Sequence, residues 1–272
     1  MRRKSAIPFQ PAEIERYRRQ LILPGWSEET QLLLKEATVF IAGAGGLGSP
    51  AAIYLAAAGV GTLRICDKGE VELSNLNRQI LHSDPDVGKS KVRSAERTLT
   101  AINPHLKVVA LAEEIKRTNI STLVGNARIM IDCLDNFPGR YVLNEYAVQS
   151  GIPLVHAGIY AFSGQITFIQ PPETPCLACI VPEIPPAASG PSEATPPSEA
   201  AMLHSETGIF PVLGATVGIL GSLEAMEAVK YLSGTGSLLK NRLLFIDGET
   251  MLFQEMNVAR ELKCPVCCRL SA

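Results

Sequence analysis

Residues 37–63, ATVFIAGAGGLGSPAAIYLAAAGVGTL, carry no charge over 27 positions. A run of that length could cross a bilayer as a helix. Its middle is GAGGLGSP, however, and glycines followed by proline break such a helix. The alternative is a short buried strand over 37–42, a glycine turn, and a buried helix over 46–58. A second strand, TLRICD, follows at 62–67. A strand, a tight turn and a helix leading to another strand form the opening unit of a parallel sheet.

The rest of the chain repeats the alternation. Two short helices are expected over 14–23 and 27–36, the second capped by Ser27. Further strands are expected over 106–111, 127–133, 152–157 and 165–170, and helices over 87–102 and 137–150. The pattern predicts an α/β fold, a Rossmann-like and mostly parallel sheet with helices on both faces. Residues 242–256 read as a hairpin around Asp247 and Gly248, which would extend the sheet with antiparallel strands. Residues 181–206 are rich in Pro, Ala, Ser and Glu without periodicity, and are expected to form a flexible crossing loop. Hydrophobic residues make up 46% of the 272, enough for a sizeable core.

Bulk charge excludes some partners. The net charge of −2 gives no global attraction to nucleic acid or to a membrane surface. Trp26 and the tyrosines form no ladder on which bases could stack. The start, MRRKSAIPFQ, is basic but lacks the apolar run of a secretion signal. Seven cysteines, an odd number, argue against a disulfide framework and for a reducing, cytoplasmic setting.

The glycine turn is the first chemical signal. Gly43, Gly45 and Gly48 fit G-x-G-x-x-G between a strand and a helix, and Asp67 ends the next strand 19 residues after Gly48. Glycines let backbone approach a phosphate, and the helix N-terminus offers N–H groups. The strand-end carboxylate can accept from ribose hydroxyls. This describes a nucleotide site without separating NAD from ATP. The cations separate them. Arg78, Lys89 and Lys91 follow the second strand, in a place where hydride transfer has no use for them. They suit a triphosphate and the charge moving onto a pyrophosphate leaving group. The competing explanation is that Lys89, Lys91 and Arg93 line a solvated helix face. Asp132 and Asp135, in DCLDNFPGR, follow a strand at the end where such sheets bind ligands. Asp135 suits Mg²⁺, and Asp135-Asn136 equally suits a helix cap.

The cysteines supply a second signal. Cys176 and Cys179 form one C-x-x-C pair, and Cys264 and Cys267 another, with 84 residues between the pairs. Four thiolates make a closed tetrahedral Zn²⁺ site, here a structural staple between distant segments. A redox role is the rival, disfavoured because neither pair is expected at a helix start after a strand. Cys66 and Cys133 lie in strands and are expected to be small core residues. His82, His105, His156 and His204 do not cluster in sequence and are expected to be structural or solvated.

Taken in order, RYRRQLILPG, GAGGLG, Asp67, SNLNRQ, VGKSK, DNFPGR and PVLGATVGILGSLEAMEAVKYL resemble the MoeB/ThiF/HesA family, bacterial relatives of ubiquitin-activating enzymes. The resemblance runs from about Arg16 to Cys267. It implies a single adenylation domain over 1–272. The implied activity is transfer of AMP from Mg²⁺·ATP to the C-terminal glycine of a small ubiquitin-like sulfur-carrier protein ending in Gly-Gly. It places Gly43, Gly45, Gly46, Gly48, Asp67, Ser74, Asn75, Leu76, Asn77, Arg78, Lys91, Asp135 and Asn136 at the nucleotide, with Mg²⁺ on Asp135. It makes 1–36 a helical arm in a homodimer, with Arg19 reaching the neighbouring subunit's site. Arg19, Arg78, Lys91 and Asp135 would carry the chemistry, and the cysteine quartet would hold zinc. One departure stands out. Several relatives use a cysteine late in the crossing loop, and no cysteine lies between Cys179 and Cys264 here. Adenylation without a loop thioester is therefore expected, and without an appended rhodanese domain. Molybdopterin and thiamine-thiazole carriers are both compatible, the former favoured.

Two rivals remain at the level of sequence. An NAD-dependent oxidoreductase explains the glycine turn and Asp67, and leaves Lys91 and the cysteine pairs without a purpose. A non-catalytic module that only binds a ubiquitin-like protein would have no use for Arg78, Lys91 and Asp135.

Overall fold

The structure, a computed structural model, describes residues 9–182 and 211–268. The expected crossing loop at 181–206 falls almost wholly outside them. Two helices, α1 (Pro11–Leu21) and α2 (Glu28–Lys35), precede an eight-stranded sheet. Ser27 caps α2 as expected, its hydroxyl accepting the Thr30 N–H at 3.2 Å. The strands are β1 (Thr38–Ala42), β2 (Thr62–Cys66), β3 (Lys107–Leu111), β4 (Ile129–Asp132), β5 (Leu154–Tyr160), β6 (Ser163–Ile169), β7 (Arg242–Asp247) and β8 (Leu252–Asn257). Their order is β3-β2-β1-β4-β5-β6-β7-β8. The first five run parallel, and β6, β7 and β8 add antiparallel. The order reverses between β1 and β4, the crevice in which open α/β sheets hold ligands.

The central strand explains why this sheet forms. All five residues of TVFIA are buried. Val39 and Ile41 face one apolar cluster, and Phe40 and Ala42 face another. Burial on both faces gives a continuous apolar run rather than alternation. On the first face lie α3 (Gly48–Ala58), α4 (Lys91–Ile102) and α8 (Gly214–Ser233), through Leu55, Leu99 and Leu220. On the second lie α5 (Ile120–Val124), α6 (Phe137–Ser150) and α7 (Leu177–Ile180), through Leu123, Leu143 and Leu177. Residue α3 ends at Gly59, whose φ of 93° is a left-handed cap.

Two boundaries differ from the sequence expectation. Helix α4 begins at Lys91 rather than 87, because Gly88 takes φ 80° and Val71 pairs with Val87 first. The β7–β8 connection is a four-residue turn over 248–251, with Met251 at φ 57°. Asp247 closes it by accepting the Glu249 N–H and the Thr250 hydroxyl. The α1 helix is docked on its own body: the buried Tyr17 hydroxyl accepts from Asn103 at 2.9 Å, and Lys35 pairs with Glu13. Its outward side carries exposed Arg18 and Arg19. Among the described residues no helix is long and apolar enough to cross a membrane.

Candidate active site

The loops at the carboxyl ends of β1, β2, β4 and β5 enclose a cleft of about 1380 Å³. The turn after β1 forms its floor. Gly43 has φ 101°, and a Cβ there would stand 2.6 Å from the Cys133 carbonyl oxygen. A Cβ on Gly48 would stand 2.1 Å from the Gly43 carbonyl oxygen. These two glycines close the turn on itself and on β4. Gly45 and Gly46 instead face the cleft. A Cβ on Gly46 would meet side chains rather than backbone, Val217 Cγ1 at 2.8 Å and Arg78 Cδ at 3.8 Å. The turn therefore leaves bare backbone N–H groups at the N-terminus of α3, where an anion binds.

One peptide of that turn is gripped from both sides. The Ala44 N–H donates to Asp67 Oδ2 at 2.8 Å. The Ala44 carbonyl lies 3.0 Å from His82 Nε2, and His82 Nδ1 lies 2.9 Å from the Ser94 hydroxyl in α4. Burial pushes the pKa of His82 down, so at neutral pH it is neutral, donating from Nε2 and accepting at Nδ1. The other oxygen of Asp67 accepts the Gly69 N–H at 2.8 Å. A carboxylate has about four acceptor positions, so two remain for hydroxyl groups of a ligand.

Arg78, Lys91 and Asp135 all line this cleft, together with Asp67 and Asn136. Among the described residues neither Arg78 nor Lys91 is paired with a carboxylate, and Asp135 has no cation partner. Lys91 starts α4 beside Gly69, whose carbonyl accepts its N–H at 3.0 Å. Arg78 Nη1 donates to the Ser74 carbonyl and to Asn77 Oδ1, both at 2.9 Å. Asn136 caps α6 by accepting the Gly139 N–H at 2.9 Å. The cap falls to Asn136, and the adjacent Asp135 faces the cleft.

Ser74, Asn75, Leu76 and Asn77 do not line the cleft. Asn75 is buried and accepts the Glu72 N–H, closing the turn. Ser74 and Asn77 hold the guanidinium of Arg78. Gly48 lies inside α3, and Arg19 lies on the exposed side of α1, outside the cleft of its own chain. Arg93 and Arg97 pair with Glu96 and Asp86 and are structural.

Some cleft residues carried no sequence signal. Gln79 is 5% exposed, lines the cleft beside Gly45, and its Oε1 has no partner among the described residues. It ends the SNLNRQ motif, the one clue available. Arg140 spends Nε and Nη2 on the Leu134 carbonyl, at 3.1 and 2.6 Å. Gly158, Gly164 and Gln165 line the cleft from β5 and β6, and Val217 of α8 lies against Gly46.

A second site lies apart from the cleft. The sulfurs of Cys176, Cys179, Cys264 and Cys267 all lie within 4.8 Å of one another. Neighbouring pairs are 3.4, 3.6 and 3.9 Å apart. Sulfurs around a tetrahedral Zn²⁺ are about 3.8 Å apart, given Zn–S near 2.3 Å. A disulfide needs about 2.05 Å. Burial pushes the Cys179 thiol up to about 11. Burial also opposes ionisation of Cys264, but the Cys267 and Val266 N–H groups outweigh it and bring that thiol down to about 7. The quartet fits a structural zinc. Contrary to the sequence expectation, Cys176 does cap a short helix, α7, so helix position alone does not dismiss a redox role. The gathering of all four sulfurs favours the metal.

Comparison with known proteins agrees with this geometry. The ThiF family model matches residues 17–266. Protein HesA (heterocyst) of Trichormus variabilis is 39% identical over 261 residues, covering 96% of this chain and 91% of that protein. The sulfur carrier protein adenylyltransferase of Thermus thermophilus is 40% identical over 260 residues, covering 94% and 91%. The crystal structure of E. coli MccB with ATP superposes with a TM-score of 0.73 at 25% identity, covering 88% of this chain and 68% of that one. With a glycine turn, an acid at the end of β2 and two unpaired cations meeting in one cleft of this sheet, the chain belongs to the ThiF family.

Proposed function

We propose that the chain is a nucleotidyltransferase that adenylates the C-terminal glycine of a small ubiquitin-like sulfur-carrier protein and releases pyrophosphate. The observation that carries this reading is the convergence of bare glycine backbone, Asp67, Arg78, Lys91 and Asp135 on one cleft. A cleft of about 1380 Å³ exceeds the space a nucleotide needs, which leaves its far end for a second reactant.

The reaction needs little from the side chains beyond placement. A terminal carboxylate is already ionised and is itself the nucleophile. One of its oxygens bonds to the α-phosphorus, the bond from that phosphorus to the bridging oxygen breaks, and pyrophosphate leaves with the electron pair. No proton moves, so no side-chain base is required. Asp67 holds the ribose hydroxyls with its free acceptor positions. The glycine turn and the N-terminus of α3 hold the phosphates. Arg78 and Lys91 oppose the charge that grows on the leaving group. Asp135 would hold Mg²⁺, which when bound would offset the negative charge of the phosphates. Gly158, Gly164 and Gln165 also line the cleft, and the carrier's carboxyl-terminal tail would enter past them. The carrier is a Gly-Gly-ending protein of the molybdopterin-synthase or thiamine-thiazole kind. Arg19, exposed on α1, completes the neighbouring subunit's site in a homodimer working in the cytoplasm.

Incubating the protein with Mg²⁺·ATP and each Gly-Gly-ending carrier tests this reading. One carrier is expected to gain the mass of one adenylate, and to lose that gain when its last glycine is removed.

A further inference from the structure

Beneath the cleft floor lie three ionisable side chains that the reaction above does not use. Asp132 ends β4, His156 stands beside it in β5, and Glu224 reaches in from α8, with exposures of 0, 1 and 0%. Asp132 and His156 are register partners in adjacent strands. His156 Nδ1 lies 2.7 Å from Asp132 Oδ2. It is the one side-chain partner of that carboxylate among the described residues. Glu224 Oε2 lies 3.5 Å from the Cys133 sulfur. Burial, with the nearby Asp132, pushes the pKa of Glu224 well up, and Glu224 accepts from the Cys133 thiol.

The second oxygen of Asp132 connects this group to the cleft. Asp132 Oδ1 accepts the Leu134 N–H at 3.2 Å. The Leu134 carbonyl receives Arg140 from the other side. Asp135 follows directly, and Asn136 caps α6. The turn between β4 and α6 therefore hangs from one buried carboxylate, and that carboxylate is held by one imidazole. The backbone ladder already joins β4 to β5, so the pair is not needed to hold the two strands together. What it adds is a fixed direction for Asp132, and hence for the turn.

We propose that His156 is a positioning residue for Asp135: by holding Asp132 it fixes the turn from which Asp135 faces the nucleotide's metal. This rests on the reading of Asp135 as the Mg²⁺-holding residue. Misplacing that carboxylate by even 1 Å weakens its hold on a cation that tolerates little departure from octahedral geometry.

Calorimetric titration of the full-length protein with ATP, with and without Mg²⁺, tests the proposal without relying on turnover. In the wild type Mg²⁺ is expected to tighten ATP binding. In His156→Val the factor of tightening is expected to fall at least fivefold, with Mg²⁺-free affinity within twofold of wild type. His156→Asn, whose Nδ2 replaces Nδ1, is expected to restore the factor to within twofold. The double variant Asp132→Asn/His156→Val leaves no unpaired buried charge and serves where the single Val variant does not fold; the same loss is expected. Retention of the factor within twofold in His156→Val or in the double variant overturns the proposal. So does an equal loss of affinity with and without Mg²⁺, which marks general damage to the site. A wild type in which Mg²⁺ has no effect on ATP binding overturns the assignment of Asp135, and this inference with it.

Discussion

Asp67 and Ala44 are joined by a 2.8 Å hydrogen bond from the Ala44 N–H to the Asp67 carboxylate. The bond ties the end of β2 to the glycine turn after β1. The same carboxylate accepts the Gly69 N–H, next to the start of α4 where Lys91 sits. One acid thus sets the spacing between the glycine turn and Lys91.

Replacing it breaks both connections at once. Asp67→Ala is expected to weaken ATP binding at least about tenfold, or 1.4 kcal/mol. It is also expected to destabilise the fold by about 1–3 kcal/mol, because two backbone donors lose their acceptor. Calorimetric ATP titration and urea unfolding measure the two effects separately. Unchanged ATP affinity would remove Asp67 from the site.

The glycines of the turn divide into two kinds. A Cβ on Gly48 would run into the backbone of Gly43 at 2.1 Å, which cannot move without opening the turn. Gly48→Ala is therefore expected to cost about 1–3 kcal/mol of stability. A Cβ on Gly46 meets the tip of the buried Val217 side chain at 2.8 Å rather than backbone. Gly46→Ala is expected to cost less stability than Gly48→Ala and to bind ATP several-fold more weakly. Thermal unfolding with ATP titration of the two variants should separate the effects in this way.

These glycines also show what the sequence could and could not convey. The turn was legible because only a strand, a tight turn and a helix suit a charge-free run interrupted by glycines. The acid at the end of β2 and the cations before α4 were legible from spacing. The polar loop 74–77 does not itself line the cleft. Hydrogen-bonding side chains in a short loop serve first to close it, and Asn75, Ser74 and Asn77 do so around Arg78. Gly158, Gly164 and Gln165 carried no local signal, because β5 and β6, far in sequence from the glycine turn, bring them to the cleft. The pairing of Asp132 with His156 depends on the register of β4 against β5, which no local pattern encodes.

The cysteine quartet joins the segment after β6 to the chain after β8, so its metal is expected to matter for stability. Chelation, or Cys264→Ser, is expected to lower Tm by more than about 5 °C, given roughly 2–4 °C per kcal/mol in chains approaching this size. One zinc per chain is expected by metal analysis. A protein equally stable without metal would show that the four sulfurs are merely core.

Asp86 predicts a pH dependence. It has no exposed surface and accepts from Arg97 at 2.6 and 2.7 Å and from the Ser83 hydroxyl and N–H. Burial favours its neutral form, but Arg97, Ser94 and Ser83 outweigh burial and hold its pKa well below the usual carboxylate range. The folded pKa lies below the unfolded value of about 3.9, so the stabilisation is complete above that value and disappears as pH falls through the folded one. Arg97 is about half exposed, which screens the pair. Arg97→Met is expected to cost about 1–2 kcal/mol at pH 7, and the gap from wild type is expected to narrow below about pH 4. Urea unfolding across that range measures it.

The most direct test of the proposed chemistry is exchange of labelled pyrophosphate into ATP in the presence of a Gly-Gly-ending carrier. Exchange is expected with one carrier, to depend on its last glycine, and to fall at least a hundredfold in Arg78→Ala and Lys91→Ala. Exchange that survives intact in both variants, or none with any carrier despite tight ATP binding, would contradict the assignment of this cleft to adenylation.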